Sequence, residues 1–184
     1  MSDLNDLRAF YDLAWQQLEN AMKTRDLASR QVALATVSKD GQPEVRIVVL
    51  RDVFRASSIL SVNTDVVSAK VTSLDALPFA ELLYWSAETA LQLRLKARVE
   101  IRRGDETASI WPSIPEESRS NYGSNPETGT RIANVFDYEK LGLAQNFAIL
   151  TFHVDDIDVV ELGDRHRRAH FSRMSDWVGQ WIVP

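Results

Sequence analysis

The stretch ALQLRLKARVEIRR constrains the fold more than any other part of the chain. From Leu91 to Ile101 the odd-numbered positions are apolar, whereas the even-numbered positions from Gln92 to Arg102 are polar or charged. Successive side chains of a strand point to opposite faces, so this period of two predicts a long strand with one buried face and one wet face. The run AELLYW at 80–85 comes just before it and is the expected hairpin partner.

Several other short apolar runs predict further strands. The turn sequence SKDGQP predicts a hairpin between the first two of them. The runs are VALATV at 32–37, EVRIVVL at 44–50, SSILSVN at 57–63, NFAILTFHV at 146–154, DVVEL at 158–162, and the segments RAHFSR and DWVGQWIV near the C-terminus. Many short, mostly antiparallel strands with a few helices favour a mainly β fold, a β-barrel with helical additions, in a single domain over residues 1–184.

Helical spacing of apolar residues over 4–23 predicts an amphipathic opening helix. A second helix is expected within TDVVSAKVTSLDAL, with Thr64 or Asp65 as its cap and Pro78 as its end. Two short helical pieces are expected around 105–112 and 115–121, before a polar loop at 123–131.

Composition and missing motifs narrow the function. The net charge of -5 weighs against a nucleic-acid-binding protein. The chain has no G-x-G-x-x-G turn and no G-x-S-x-G elbow, so neither a Rossmann nucleotide site nor a hydrolase of that type is expected. It has no cysteine, and its three histidines form no H-E-x-x-H pair, so no metal site is expected. The acidic N-terminal stretch lacks the pattern of a secretory signal, and no apolar run reaches membrane-spanning length. A cytoplasmic protein without a membrane partner is expected.

Positive charges nevertheless cluster locally. Arg46 and Arg51 flank four apolar residues of one strand. Positions five apart face opposite sides, so the two need not share one partner unless a bulge or a strong twist brings them round. Thr64, Ser68 and Lys70 lie at the expected start of a helix, where hydroxyls, an ammonium and free backbone N–H groups can cradle a phosphate. The plain alternative is that Thr64 only caps the helix and Lys70 is only a solvated charge.

The order of these pieces suggests a family. R-I-V-V-L-R, N-T-D-V-V-S-A-K, P-F-A-E-L-L-Y-W, L-Q-L-R, H-R-R-A-H-F-S-R and a closing W-V-G-Q-W-I-V-P follow one another along nearly the whole chain. In this order they resemble the pyridoxamine 5′-phosphate oxidase-like FMN-binding proteins, in particular the oxidase-related, FMN-binding branch. The resemblance implies an antiparallel split β-barrel, and a homodimer that holds two FMN molecules between its subunits.

The resemblance also implies roles for particular residues. Arg46 is expected at the FMN phosphate, together with Ser68 and Lys70, and the backbone of Ile47, Val48 and Val49 along the isoalloxazine ring. The remaining expected flavin contacts are Asn63, Thr64, Gln92 and Arg168. Catalytic residues stay unknown at this point, because flavin chemistry of this kind needs no strong general base from the protein.

The substrate side departs from the family pattern. Arg51, Ser118 and His166 match substrate-contacting positions of the true oxidases. Ile110 and Ile114, however, stand where those oxidases have a tyrosine and an arginine that grip the substrate phosphate. Further departures are Val67 and Ala69 in the phosphate segment, and Asp164 where the oxidases place an arginine over the substrate. An acid at that last position repels a phosphorylated substrate.

Two functions remain open on this reading. One is an FMN-dependent oxidoreductase that acts on an unidentified small molecule. The other is a flavin-binding or carrier module that keeps the fold but lacks the vitamin B6 substrate site.

Overall fold

The computed structural model describes residues 5–24 and 26–184. Its helices are α1 (Leu7–Lys23), α2 (Ala69–Ala76), α3 (Asp105–Ala108) and α4 (Glu116–Arg119). Its strands are β1 (Gln31–Val37), β2 (Pro43–Phe54), β3 (Ile59–Asp65), β4 (Phe79–Ser86), β5 (Leu91–Arg103), β6 (Ser124–Asn125), β7 (Glu139–Lys140), β8 (Phe147–Glu161), β9 (Arg167–Ser172) and β10 (Gly179–Trp181).

Six antiparallel strands close into a barrel in the order β1–β2–β3–β8–β5–β4, with β4 returning to β1. Strand β8 is long enough to pair with β5 along most of its length, with β3 at its start and with β9 at its end. Strand β10 extends the sheet beyond β9, and β6 and β7 form a separate two-stranded ribbon. The expected mainly β, antiparallel split barrel is confirmed.

The alternation in β5 is realised as the sequence predicts. Leu91, Leu93 and Leu95 point into the barrel and are fully buried, whereas Gln92 and Arg94 point outward. The hairpin with β4 is also confirmed, with Leu82 opposite Leu95. The interior is therefore a packed apolar core, and the chemistry available to ligands lies at the barrel's mouth and on its outer face.

Helix α1 covers one end of the barrel. Asp6 caps it by accepting a hydrogen bond from the backbone N–H of Ala9 at 2.8 Å, and Phe10 and Trp15 are fully buried. The C-terminal segment packs onto this helix: the Trp181 ring lies 5.3 Å from that of Phe10. The expected opening helix is confirmed from Leu7 onward, and Leu4 lies outside the described residues.

Two expectations about local structure are wrong. The runs 146–154 and 158–162 form one continuous strand, β8, because β5 pairs with it along both runs. Thr64 and Asp65 do not cap α2; they end β3 and pair with β8, and Ser68 is the N-cap residue. Asp65 instead tightens the turn into the helix, because its carboxylate accepts a hydrogen bond from the N–H of Val67 at 2.9 Å.

Within residues 5–24 and 26–184, no helix combines the length and the apolar character that crossing a bilayer requires.

Candidate functional site

Arg46 lies at the mouth of the barrel with its side chain turned inward. It stands opposite Leu34 of β1, whose side chain is fully buried, and its own side chain is only 22% exposed. One guanidinium nitrogen, Nη1, donates to the Thr36 hydroxyl at 2.6 Å, and the other, Nη2, donates to a Glu44 carboxylate oxygen at 3.1 Å. The guanidinium is therefore held rigidly by neighbouring strand residues.

Lys70 brings a second positive charge to the same mouth from the first turn of α2. Its ammonium donates to the Thr64 hydroxyl at 3.0 Å, and that hydroxyl lies 3.3 Å from the hydroxyl of Ser68. Burial lowers the pKa of Lys70 below its usual value, and the nearby charge of Arg46 lowers it further, whereas Asp65 acts in the opposite direction. No carboxylate forms an ion pair with Lys70 in the described part of the chain.

The barrel is split next to this pair of cations. Strand β3 pairs with β2 only from Leu50 onward, so in the described structure the edge of β2 over 45–49 has no ladder partner on that side. Arg51 is the extra residue of a β-bulge, because Leu50 pairs with Val62 and Asp52 already pairs with Ser61. The backbone groups on the free edge of β2 are available to a planar ligand with a polar rim.

Arg51 is exposed, whereas the Arg46 side chain is largely buried, as expected for side chains on opposite faces of the strand. The buried Tyr122 lies near Arg51, beyond the bulge. Burial raises the pKa of the Tyr122 hydroxyl above its usual value, and the charge of Arg51 and a hydrogen bond with the Asn63 side chain offset this only in part. Arg51, Asn63 and Tyr122 therefore form a polar group beside the split.

Gln92 and Arg168 lie elsewhere, on the outer face of the barrel. Val160 of β8 pairs with Gln92 on one side and with Arg168 on the other, so these two polar side chains flank one position of the sheet. Asp158 Oδ2 accepts a hydrogen bond from Arg168 Nη2 at 2.8 Å and another from Arg94 Nη2 at 2.8 Å. Burial raises the pKa of Asp158, but its bonds to Arg168 and Arg94 outweigh that and leave the pKa below its ordinary value.

Comparison with known proteins identifies the family of this chain. The family model of the FMN-binding domain of pyridoxamine 5′-phosphate oxidase matches residues 12–103. Pyridoxine/pyridoxamine 5′-phosphate oxidase 2 of Arabidopsis thaliana is 36% identical in an alignment of 165 residues that covers 83% of this chain and 83% of that protein. The chain belongs to the pyridoxamine 5′-phosphate oxidase FMN-binding family.

Other members of the family match over a shorter part. The pyridoxine/pyridoxamine 5′-phosphate oxidase of Microcystis aeruginosa is 35% identical over 104 residues, 56% of this chain and 48% of that protein. This chain thus spans about half the length of the first curated oxidases that it matches.

Solved structures show the same fold at low sequence identity. A pyridoxamine 5′-phosphate oxidase-related, FMN-binding protein from Nostoc punctiforme has a TM-score of 0.77 at 22% identity, covering 95% of this chain and 97% of that one. PhzG from Burkholderia lata, solved with tetrahydrophenazine-1-carboxylic acid, has a TM-score of 0.73 at 15% identity, covering 96% and 92%.

FMN is the cofactor of this family domain, and the geometry fits it. A phosphate can accept hydrogen bonds from two cations, Arg46 and Lys70. Among the described residues, the ammonium of Lys70 donates a hydrogen bond to the Thr64 hydroxyl and forms no ion pair. The free edge of β2 at Ile47, Val48 and Val49 offers backbone donors and acceptors to the rim of the flavin ring. Gln92 and Arg168 lie outside this cleft of the single chain, and all the expected flavin contacts stay predictions.

The expected substrate residues come from three different segments, and their roles stay predictions. Arg51 is the bulge residue of β2 near Tyr122, Ser118 lies in α4, and His166 is exposed just before β9. Ile110 and Ile114 pack against an apolar cluster formed by Tyr122, Phe147 and Ile149. Their role here is to build the core of the segment between β5 and β8.

Three polar residues at these places were missed by sequence reasoning. Glu44 could have been found, because it precedes Arg46 by two positions and so shares its face of the strand. Asp158 could also have been found as the acid opposite Arg94, but only once the register of β5 with β8 was known. Tyr122 carried no signal, because its position depends on how a loop segment folds over the barrel.

Proposed function

We propose that this chain is an FMN-dependent oxidoreductase of the pyridoxamine-phosphate-oxidase type that acts on a small molecule. The observation that carries the proposal is the pair Arg46 and Lys70, two cations held side by side at the split of the barrel. Glu44 forms an ion pair with Arg46, but no carboxylate of the described residues forms one with Lys70, so a phosphate can still join the two cations. FMN, when bound, supplies the acceptor for a hydride from a C–N or C–O bond and can be reoxidised by oxygen.

In this proposal the chain's own residues bind and orient the cofactor. Arg46, Ser68 and Lys70 hold the phosphate, while Asn63, Thr64 and the backbone of 47–49 contact the rest of the flavin. No side chain is assigned as a general base. Arg51, Ser118 and His166 are proposed for substrate binding, of which Arg51 has the best support because it stands at the split with no ion pair among the described residues.

We further propose that the working unit is a homodimer with FMN between the subunits. Gln92 and Arg168 face outward on the sheet, away from the mouth that holds Arg46, so one chain alone does not surround a ligand with all the expected contacts. The outer face of β2, β1 and β4 is also unusually apolar: Val45 is 72% exposed and Ile47 62%. Exposed apolar surface of this kind marks an interaction site. A single domain and a cytoplasmic location complete the proposal.

A titration of FMN fluorescence tests cofactor placement. Arg46→Ala and Lys70→Ala should each weaken FMN by about 1.5–3 kcal/mol, the range for charge-assisted hydrogen bonds, or roughly 10- to 150-fold. Lys140→Ala, the control, removes a lysine from the exposed strand β7 and should leave the affinity for FMN unchanged. Wild-type affinity in both site variants would show that the phosphate lies elsewhere.

A second function has its own support. Ile110 and Ile114 are committed to an apolar cluster, so the side chains that grip a substrate phosphate in the true oxidases have no equivalent at these positions. This favours a flavin-binding module without vitamin B6 turnover. A yellow protein that forms no peroxide with pyridoxamine or pyridoxine phosphate, and is not reduced anaerobically by NADH or NADPH, would support the module; turnover of any of these would support the enzyme.

A further inference from the structure

The carboxylate of Glu44 lies inside the cation site rather than beside it. A single oxygen, Oε2, accepts from Arg46 Nη2 at 3.1 Å, from the Ser73 hydroxyl at 2.8 Å and from the Thr36 hydroxyl at 3.3 Å. The Glu44 side chain is 30% exposed, and that of Arg46 22%. A negative charge is thus built into the place where the cofactor phosphate is proposed to bind.

Glu44 is not needed to hold Arg46 in position. The other guanidinium nitrogen, Nη1, is already fixed by the Thr36 hydroxyl at 2.6 Å, with the carbonyl oxygens of Leu34 and Glu44 at 3.4 Å. The carboxylate therefore occupies a donor that would otherwise be open to an incoming anion. Bonds from Ser73, Arg46 and Thr36 also keep the pKa of Glu44 below its usual value, so it carries its charge at neutral pH.

The charges at the mouth of the barrel do not balance in favour of a phosphate. Arg46 and Lys70 contribute two positive charges, and the exposed Lys39 lines the same hollow as Glu44. Against them stand the carboxylate of Glu44 on Arg46 and that of Asp65, which acts on Lys70. The neighbouring positions Val67 and Ala69 add none. A phosphate monoester carries close to two negative charges at pH 7, and it must approach while Glu44 repels it.

We propose that Glu44 is a built-in competitor for the FMN phosphate at Arg46, which weakens the binding of FMN. The inference rests on the proposed placement of the phosphate at Arg46. Its consequence is specific to phosphorylated flavin, since riboflavin has the same ring system and no phosphate to repel.

The test compares Glu44→Gln with wild type in titrations of FMN and riboflavin at low salt. Glutamine keeps an oxygen that can accept from Ser73 and Arg46, but it has no charge. Removing a like charge a few ångströms from the phosphate should tighten FMN about tenfold and leave riboflavin unchanged. Glu127→Gln is the matched control, because Glu127 lines the same surface hollow as Glu44 but makes no bond to Arg46.

Each other result overturns the inference in a distinguishable way. Weaker FMN binding by Glu44→Gln would show that the carboxylate positions Arg46, and equal gains for FMN and riboflavin would show an effect unrelated to the phosphate. An equal increase in FMN affinity in Glu127→Gln would indicate an effect of the overall negative charge of this surface rather than competition at Arg46. If Arg46→Ala weakens FMN while Glu44→Gln does not tighten it, the proposed function stands and this inference falls. If Arg46→Ala has no effect, both fall.

Discussion

Gly179 allows a sharp test of how the C-terminal strand packs. It pairs with Phe171 across β10 and β9, and a Cβ added at Gly179 would lie 2.2 Å from Phe171 Cε1 and 2.5 Å from Cδ1. Phe171 is 1% exposed, and its ring lies 5.2 Å from that of Tyr11. The ring has no open space to move into, so Gly179→Ala must push β10 away or distort the core.

The expected cost follows from this overlap. Forcing an extra methyl group into a well-packed core costs about 1–3 kcal/mol. A domain of 150–250 residues loses about 2–4 °C of its unfolding midpoint per kcal/mol, so Gly179→Ala should lower the midpoint by roughly 2–12 °C. Urea unfolding should show the same loss in the free energy of unfolding, with an unchanged m-value.

Gly163→Ala is the matched control. Its added Cβ would approach Glu161 Oε1 at 2.7 Å. This is the end of a flexible side chain, which can turn aside at the cost of its partly exposed ion pair with Arg167. The control should therefore lose clearly less stability than Gly179→Ala. A Gly179→Ala protein that unfolds at the wild-type temperature, or a control that falls equally far, would refute the packing argument.

Two further predictions concern the outer face of the barrel. Val45→Glu puts a charge on the proposed dimer face and should shift the mass measured by light scattering from dimer to monomer. Val135→Glu, at a loop residue that is equally exposed (73%, against 72% for Val45), should leave the mass unchanged. A wild-type protein that is a monomer would contradict the proposed dimer. Asp158→Asn should lower the thermal midpoint at pH 7 more than Asp156→Asn, because in the described structure Asp158 pairs with two arginines and Asp156 with one histidine. The pKa of Asp158 is lower in the folded than in the unfolded chain. The stabilisation that this carboxylate contributes is therefore present above the unfolded-state pKa and is lost as the pH falls through the folded-state pKa. A difference in thermal midpoint between wild type and Asp158→Asn that persists below the folded-state pKa would contradict this.

Most of the strands could be predicted because each carries its pattern locally. The alternation of β5 and the turn before β2 needed only neighbouring residues, and both are confirmed. The failures lie where distant segments decide local structure. Thr64 and Asp65 have the chemistry of helix caps, yet pairing with β8, more than 80 positions later in the sequence, keeps them in a strand. That β8 is one continuous strand likewise depends on β5, which pairs with β8 on both sides of the polar residues 155 and 156.

The sequence by itself determined the class of fold, the family and the set of residues from which a flavin site can be built, because alternation, turn residues and the order of short motifs are local properties. Only the tertiary structure decided how that set divides. Pairing across the barrel places Arg46, Thr64 and Lys70 at one mouth, with Glu44 among them, and leaves Gln92 and Arg168 on the outer face. Which charges meet depends on strand register and on the bulge at Arg51, and both are set by contacts between residues far apart in the chain.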